Sequence, residues 1–298
     1  MILVQSFVFF VTFGGVDIRI QFNLTHMEFF DLLGYSAALF IGLTLGLIGG
    51  GGSILAVPVL AYLFFIDEKL ATGYSLFIVG CSAFVGGFRQ VQKGNVDFRI
   101  TLIFGIPAIL SVVLIRSYLI PIIPDELFVL NGILVTRRMG MFGLFALVML
   151  PAAFAMLKTP HQKIQNSKIK TSKQLNILMI LEGTVIGVLT GIIGAGGGFL
   201  IIPSLIFLAK IDIKKAIGTS LIIVTLQSLI GFFLGDALNM IIDWVFLLKF
   251  TGIAIMGIFI GTYFNHILDG QKIRKGFGYF IFLMAVFIFY MEFFNSTT

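Results

Sequence analysis

Besides residues 1–16, eight stretches of 16 or more residues carry no Asp, Glu, Lys or Arg: 32–66, 70–88, 100–115, 139–157, 183–209, 216–235, 250–268 and 276–291. Most are near or above the roughly 18 apolar residues that mark a membrane-crossing helix. The pattern predicts an all-α polytopic membrane protein. A transmembrane β-barrel would alternate in segments of about ten residues, and these runs do not alternate.

Two runs are too long for one span. Residues 32–66 and 175–209 would each form a helix of roughly 50 Å, against a hydrocarbon core of about 30 Å. Each run holds a glycine cluster, and Gly in a helix interior costs about 1 kcal/mol relative to Ala. Each run is therefore expected to break into two helices, either short tilted spans or a re-entrant hairpin. The plainer alternative is close helix packing through small residues.

The two clusters are copies. Gly46 to Ser75 matches Gly191 to Ser220 at an offset of 145 with 15 identities in 30 positions and no gap. Asp67/Asp212, Lys69/Lys214, Gly73/Gly218 and Ser75/Ser220 are among them. The chain is a duplication, with 1–31 as an N-terminal segment, 32–157 and 175–298 as the two transmembrane repeats, and 158–174 as a linker.

Charge assigns sides. The stretch 158–173 carries five lysines and no acidic residue, as cytoplasmic loops do. Arg89, Lys93 and Arg99 read as inside, as do Lys210, Lys214 and Lys215. Asp67-Glu68, Asp125-Glu126 and the Asp236/Asp243 stretch read as outside. Each glycine-bearing run thus starts and ends on one side. Five helical elements per repeat invert the second copy relative to the first. Broken helices meeting near the midplane between inverted repeats are a transporter architecture. Arg137-Arg138 falls outside against the rule; snorkelling or a partial segment over 127–136 would accommodate it. Arg89, Arg116 and Lys249, near segment ends, are expected to snorkel to the interface.

At 58% hydrophobic and 11% charged, the composition is not that of a soluble domain, where roughly 25% of residues are charged. A net charge of +6 needs no nucleic acid to explain it. Cys81 is the single cysteine and the three histidines are scattered, so no metal site or disulfide is expected. No Walker or zinc-hydrolase motif and no nucleophile elbow occurs; nothing points to an enzyme or a cofactor.

Irregular backbone at membrane depth must face protein or water. Free N–H groups at a helix start attract anions without a cationic side chain. The candidate substrate-binding residues are Gly49, Gly50, Gly51, Gly52 and Ser53, with Gly194, Ala195, Gly196, Gly197 and Gly198. Nearby polar residues in apolar segments extend the set to Ser75, Ser82, Thr219, Ser220 and Gln227. A Ser or Thr in such a helix commonly bonds its own backbone; Gln227 is the more expensive group to bury. Asp97 and Asp243 read as helix caps or as proton-coupling carboxylates, and Glu182 is a third carboxylate of that kind. The expected partners are a small anion and the lipid bilayer, with a homodimer as a candidate assembly and the cell membrane as the location. A passive anion channel and a non-transporting scaffold subunit remain alternatives.

The doubled motif, Gly46-x-x-Gly49-Gly50-Gly51-Gly52-Ser53-x-Leu55-x-x-Pro58 and Gly191-x-x-Gly194-Ala195-Gly196-Gly197-Gly198-x-Leu200-x-x-Pro203, resembles that of the sulfite exporter TauE/SafE family, also called the toluene-sulfonate uptake permease superfamily. The likeness runs from about residue 33 to 294. Gly94-Asn95-Val96-Asp97-Phe98 resembles the family's trailing pattern; the second half keeps only Asp243-Trp244. The resemblance implies a permease for small sulfur-containing anions such as sulfite or organosulfonates, with proton coupling in keeping with the class.

Overall fold

The computed structural model describes residues 7–13, 16–22, 24–130, 133–157, 172–264 and 270–293. Most of the basic linker, 158–171, lies outside the described residues. Ten helices are described. The first half supplies α1 (Leu24–Ile48), α2 (Ser53–Leu63), α3 (Glu68–Gln92), α4 (Phe98–Ile122) and α5 (Arg137–Leu157). The second supplies α6 (Ser172–Ile193), α7 (Gly198–Phe207), α8 (Ile213–Asp236), α9 (Trp244–Phe264) and α10 (Gly270–Phe293). Seven of them, α3 to α6 and α8 to α10, are long and apolar enough to cross a membrane, and the chain is an integral multi-pass protein.

Both long runs break at their glycines. Gly49 (φ +85°) ends α1 and Gly194 (φ +74°) ends α6, each donating its N–H to the carbonyl four residues back at 2.8 Å. Left-handed φ is open to glycine at no steric cost, so the chain can turn there and start again. The helices that follow are short. At about 1.5 Å per residue, α2 and α7 are roughly 15 Å long, half of the hydrocarbon core.

Two hairpins accompany the helices. β1 (Phe7–Phe13) pairs antiparallel with β2 (Val16–Phe22), and β3 (Glu126–Leu130) with β4 (Ile133–Thr136). The second occupies the stretch for which a partial helical segment was an option. α1 begins at Leu24, ahead of the expected repeat boundary at 31/32, and α6 begins inside the linker 158–174.

Packing follows a simple scheme: α1 on α9, α4 on α6, α3 on α8 and α5 on α10, with α4 also on α8 and α9 on α3. Exchanging the halves maps this set onto itself. Glycines set the register. On α3 and α8, Gly73 lies by Asp236, Gly80 by Leu229 and Gly87 by Ile222, so the two run antiparallel. Gly143 by Phe293 and Gly278 by Leu157 make α5 and α10 antiparallel as well. Gly183 and Gly187 sit against the carbonyls of Phe104 and Ala108, which makes α6 and α4 parallel; Gly257 and Gly261 do the same to Leu39 and Leu43 on α1. Backbones approach this closely only where no Cβ intervenes, as in small-residue membrane interfaces. The antiparallel α3/α8 pair puts the α2–α3 turn beside the α8–α9 turn, and the α3–α4 turn beside the start of α8, where Asp97 N–H donates to Thr219 Oγ1 at 3.0 Å.

Candidate functional site

The two glycine turns meet. A Cβ on Gly50 would stand 2.7 Å from the carbonyl carbon of Gly198, and a Cβ on Gly198 would stand 2.6 Å from the carbonyl oxygen of Gly50. Bare backbone touches bare backbone at the centre of the molecule, between the starts of α2 and α7. Gly196 and Gly197 both hold φ +65°. Among the described residues, no backbone acceptor meets the N–H groups of Ala195, Gly196, Gly197 or Gly198. These donors lie at the positive end of α7.

Side chains from α8 and α6 close around the second turn. Gln227 is fully buried and its Nε2 donates to the Gly196 carbonyl. Its Oε1 has no partner, and the adjacent Ser228 hydroxyl has none either. Ser228 Oγ and Val224 face Gly196, with Val79 of α3 opposite. Thr190 of α6 packs against Gly197 and bonds back to the Gly187 carbonyl. Buried polar atoms are nearly always satisfied, so unpartnered atoms of Gln227 and Ser228 beside free N–H groups mark a polar niche. Ser228 and Thr190 were missed in the sequence because each reads there as an ordinary hydroxyl in an apolar helix.

The first turn is built differently. Gly51 lies under the Phe277 ring and Gly52 against Thr44 and Ile41. The Ser53 hydroxyl donates to the Gly50 carbonyl at 2.7 Å, a local back-bond. Gly49 faces Ile217, and Ala195, its turn's counterpart to Gly50, is fully buried.

The remaining candidates spread along α3 and α8. Ser82 and Gln227 face the same level of the antiparallel pair, since Gly80 sits by Leu229. Ser82 is buried and unpartnered. Ser75, also buried and unpartnered, lies toward the Asp236 end. Ser220 bonds back to the Ile217 carbonyl at the other end, close to Thr219. At about 1.5 Å per residue, Ser75 and Ser220 are separated by roughly 21 Å along the bundle, so the structure does not bring them into one site. Asp97 caps α4 through the Ile100 N–H, and Asp243 caps α9 through Val245 and Phe246. Glu182, half-buried on α6, has one buried carboxylate oxygen without a partner.

Arg116, expected to snorkel, is buried instead, as is Arg137, while the Arg138 side chain stays 41% exposed. Arg116 is 1% exposed; its Nη1 reaches both oxygens of the buried Asp236 at 3.1 Å and Thr72 Oγ1 at 3.2 Å. Arg137 is buried against Glu68, with Nη2 to Oε1 at 2.7 Å, and also bonds Asp125. Arg138 donates to Glu292 at 3.1 Å. Each pairs with a carboxylate at least 12 positions away in sequence, which is why charge position alone suggested snorkelling. Arg89 reaches across to Thr262 Oγ1 at 3.0 Å and lies over the Phe259 ring.

The chain resembles known membrane transporter proteins over most of its length. The family model described as sulfite exporter TauE/SafE matches residues 35–288. A probable membrane transporter protein of Xylella fastidiosa is 33% identical over 251 residues, 83% of this chain and 90% of the relative. Another from Methanocaldococcus jannaschii is 29% identical, covering 69% of this chain and 73% of the relative, and one from Bacillus subtilis is 27% identical, covering 79% and 90%. No solved structure matches the chain. With the doubled glycine turn at its centre and the family model spanning most of its length, the chain belongs to the sulfite exporter TauE/SafE family of membrane transporters.

Proposed function

We propose that this membrane transporter is a secondary permease for small sulfur-containing anions, sulfite or organosulfonates, working by alternating access in the plasma membrane. Its halves, 32–157 and 175–298, are inverted-topology repeats whose glycine-broken helix pairs meet near the midplane. The antiparallel course of the matched helices α3 and α8, and of α5 and α10, supports the inversion. The observation that carries the anion site is the niche at Gly196 to Gly198, where free N–H groups meet the unpartnered atoms of Gln227 and Ser228. A sulfonate or sulfite oxygen accepts from those N–H groups and from the Ser228 hydroxyl. Gln227 holds the turn open by bonding Gly196.

Glycine substitutions are poor tests, because Gly196→Val is strained at φ +65° whatever the ligand. Gln227→Leu and Ser228→Ala keep the backbone intact. The assay is thermal stabilisation of the detergent-solubilised protein by sulfite, methanesulfonate and toluenesulfonate. At a hundredfold excess over Kd the expected stabilisation is about 2.7 kcal/mol, and it should vanish in Gln227→Leu. No stabilisation of the wild type by any of the three, or equal stabilisation of the variant, refutes the site. Flux that equilibrates but never accumulates against a gradient would mark a channel instead.

A further inference from the structure

The buried ion pair near one end of the bundle is not part of the glycine niche, yet it touches it. Arg116 and Asp236 each sit on a π turn, Ile115–Leu119 of α4 and Phe232–Asp236 of α8, and the two turns pack together. Gly235 makes the approach possible, lying against the Arg116 backbone. Such wide turns are rare and gather at functional sites.

The pairing is lopsided. A guanidinium normally meets a carboxylate with two nitrogens in a fork. Here Nη1 alone serves both Asp236 oxygens and Thr72, while Nε and Nη2 are buried without partners. A cation this deep holds three unused N–H donors. Nη2 is directed at Gly194, where a Cβ would collide with it, and Gly194 opens the second glycine turn. On the other side, Arg116 and Asp236 form the floor of a cavity of about 450 Å³, lined also by Asp67, Lys69, Asn239 and Ile241. Ile241, 96% exposed, stands at its mouth. At about 30 Å³ per water, that is room for a small sulfonate and its hydration.

The duplication shows that this arrangement is not a requirement of the fold. Thr72 corresponds to Ile217 at the repeat offset of 145, and Arg116 corresponds to Thr262 at the offset of 146 that pairs Asp97-Phe98 with Asp243-Trp244 and the Ala108 contact with that of Ala254. Gly49, the counterpart of Gly194, has Ile217 as its nearest neighbour, where Gly194 has Arg116 and Thr72. Among the described residues, the Arg116 guanidinium lies against the glycine that opens the second turn, whereas on the mirror side Arg89 of α3 bonds Thr262.

We propose that Arg116, Thr72 and Asp236 are a proton-coupled anion acceptor at this mouth of the path: an incoming oxyanion takes Arg116 from Asp236, and Asp236 takes a proton as it is released. The inference rests on the anion-permease reading above. Charge balance requires the proton. The pair is neutral; adding a monoanion leaves one uncompensated buried negative charge, which is costly. One proton, converting the Asp236 carboxylate to the acid, restores neutrality while Arg116 stays protonated. No covalent bond to the anion forms or breaks. The charged groups facing Asp236 are Arg116 from α4 and, across the cavity, Asp67 and Lys69 at the start of α3. From α6 the neighbour is the Gly194 backbone, and Asn239 bonds the Gly235 carbonyl rather than the carboxylate. The stoichiometry is therefore one proton per monovalent anion.

The test uses the full chain in liposomes with methanesulfonate and toluenesulfonate, which carry no titratable proton of their own. In the wild type, a one-unit gradient, acid on the side from which the anion enters, should sustain about tenfold accumulation, the equivalent of 1.36 kcal/mol. Sulfonate affinity should tighten up to tenfold per unit fall in pH. Asp236→Asn should abolish both pH dependences, and Asp236→Glu should restore them. The double variant Arg116→Gln/Asp236→Asn removes both charges of this pair and serves if the single one does not fold; it should lose pH-driven accumulation as well. Gradient-driven accumulation surviving in Asp236→Asn or the double variant overturns the proposal. So does wild-type sulfonate exchange that ignores pH, which leaves the permease reading standing. A wild type that neither exchanges nor binds any sulfonate or sulfite defeats both.

Discussion

Gly50→Ala isolates the contact between the two glycine turns. Unlike Gly49, Gly194, Gly196 and Gly197, neither Gly50 nor Gly198 has a positive φ, so alanine fits the backbone conformation at both. The cost is contact alone. The new Cβ would lie 2.7 Å from the Gly198 carbonyl carbon and 2.8 Å from its oxygen. Ordinary carbon contacts begin near 3.5 Å, and the Gly198 Cα is nearer still than its carbonyl carbon, so the backbones must part by roughly 1 Å or more. No flexible side chain can give way, because the obstacle is main chain. Overpacking usually costs about 1–3 kcal/mol, and this case belongs at the upper end, roughly 3 kcal/mol. At about 2–4 °C per kcal/mol for a chain of this size, the midpoint in detergent should fall by roughly 6–12 °C. Gly198→Ala should do the same. Because both report one contact, the double variant should cost less than the sum. Gly252→Ala is the control: nothing lies within 4 Å of its Cβ position, and in helix α9 the change should be neutral or slightly stabilising, by up to about 1 kcal/mol. Gly50→Ala melting with Gly252→Ala would refute the reasoning.

Arg137→Ala strands the buried Glu68 and should destabilise by about 3–5 kcal/mol, whereas replacing both partners with apolar residues should recover much of the loss; paired thermal melts check this. Asp97→Ala and Asp243→Ala each remove a helix cap and should cost about 1 kcal/mol. If either carboxylate also carried the coupling proton, the pH dependence of transport would disappear with it. Thr219→Val leaves the Asp97 N–H without its acceptor and should cost about 1–3 kcal/mol, measured in the same melts.

Much of the scaffold was legible in the sequence, and for a physical reason. Membrane helices announce themselves by length without charge, and a glycine cluster inside such a run has few uses besides a break. The lengths of α2 and α7 were not legible, since Ser53–Leu63 and Gly198–Phe207 are bounded downstream by loops that apolar patterning does not resolve. Matching by offset grouped Ser75 with Ser220, but α3 and α8 run antiparallel, so equivalent residues separate to opposite ends. Ser82 and Gln227 escape this because they fall where the two helices are level. Arg116 was the larger miss. Its partner Asp236 lies 120 positions away, in a stretch that reads as an acidic loop. Nothing in one sequence marks the π turns that carry both inward.

The bare-backbone crossing at Gly50 and Gly198 has a consequence for how such a chain can diversify. A contact between two side chains can be renegotiated: one grows, the other shrinks, and the interface survives. Here neither partner has an atom left to remove. Any drift at one position has no compensating change at the other, so the crossing is closed to gradual change from either side, although the repeat counterparts of these glycines, Ala195 and Ser53, carry side chains. New substrate ranges must then arise from the residues around the crossing, such as Gln227, Ser228 and Thr190.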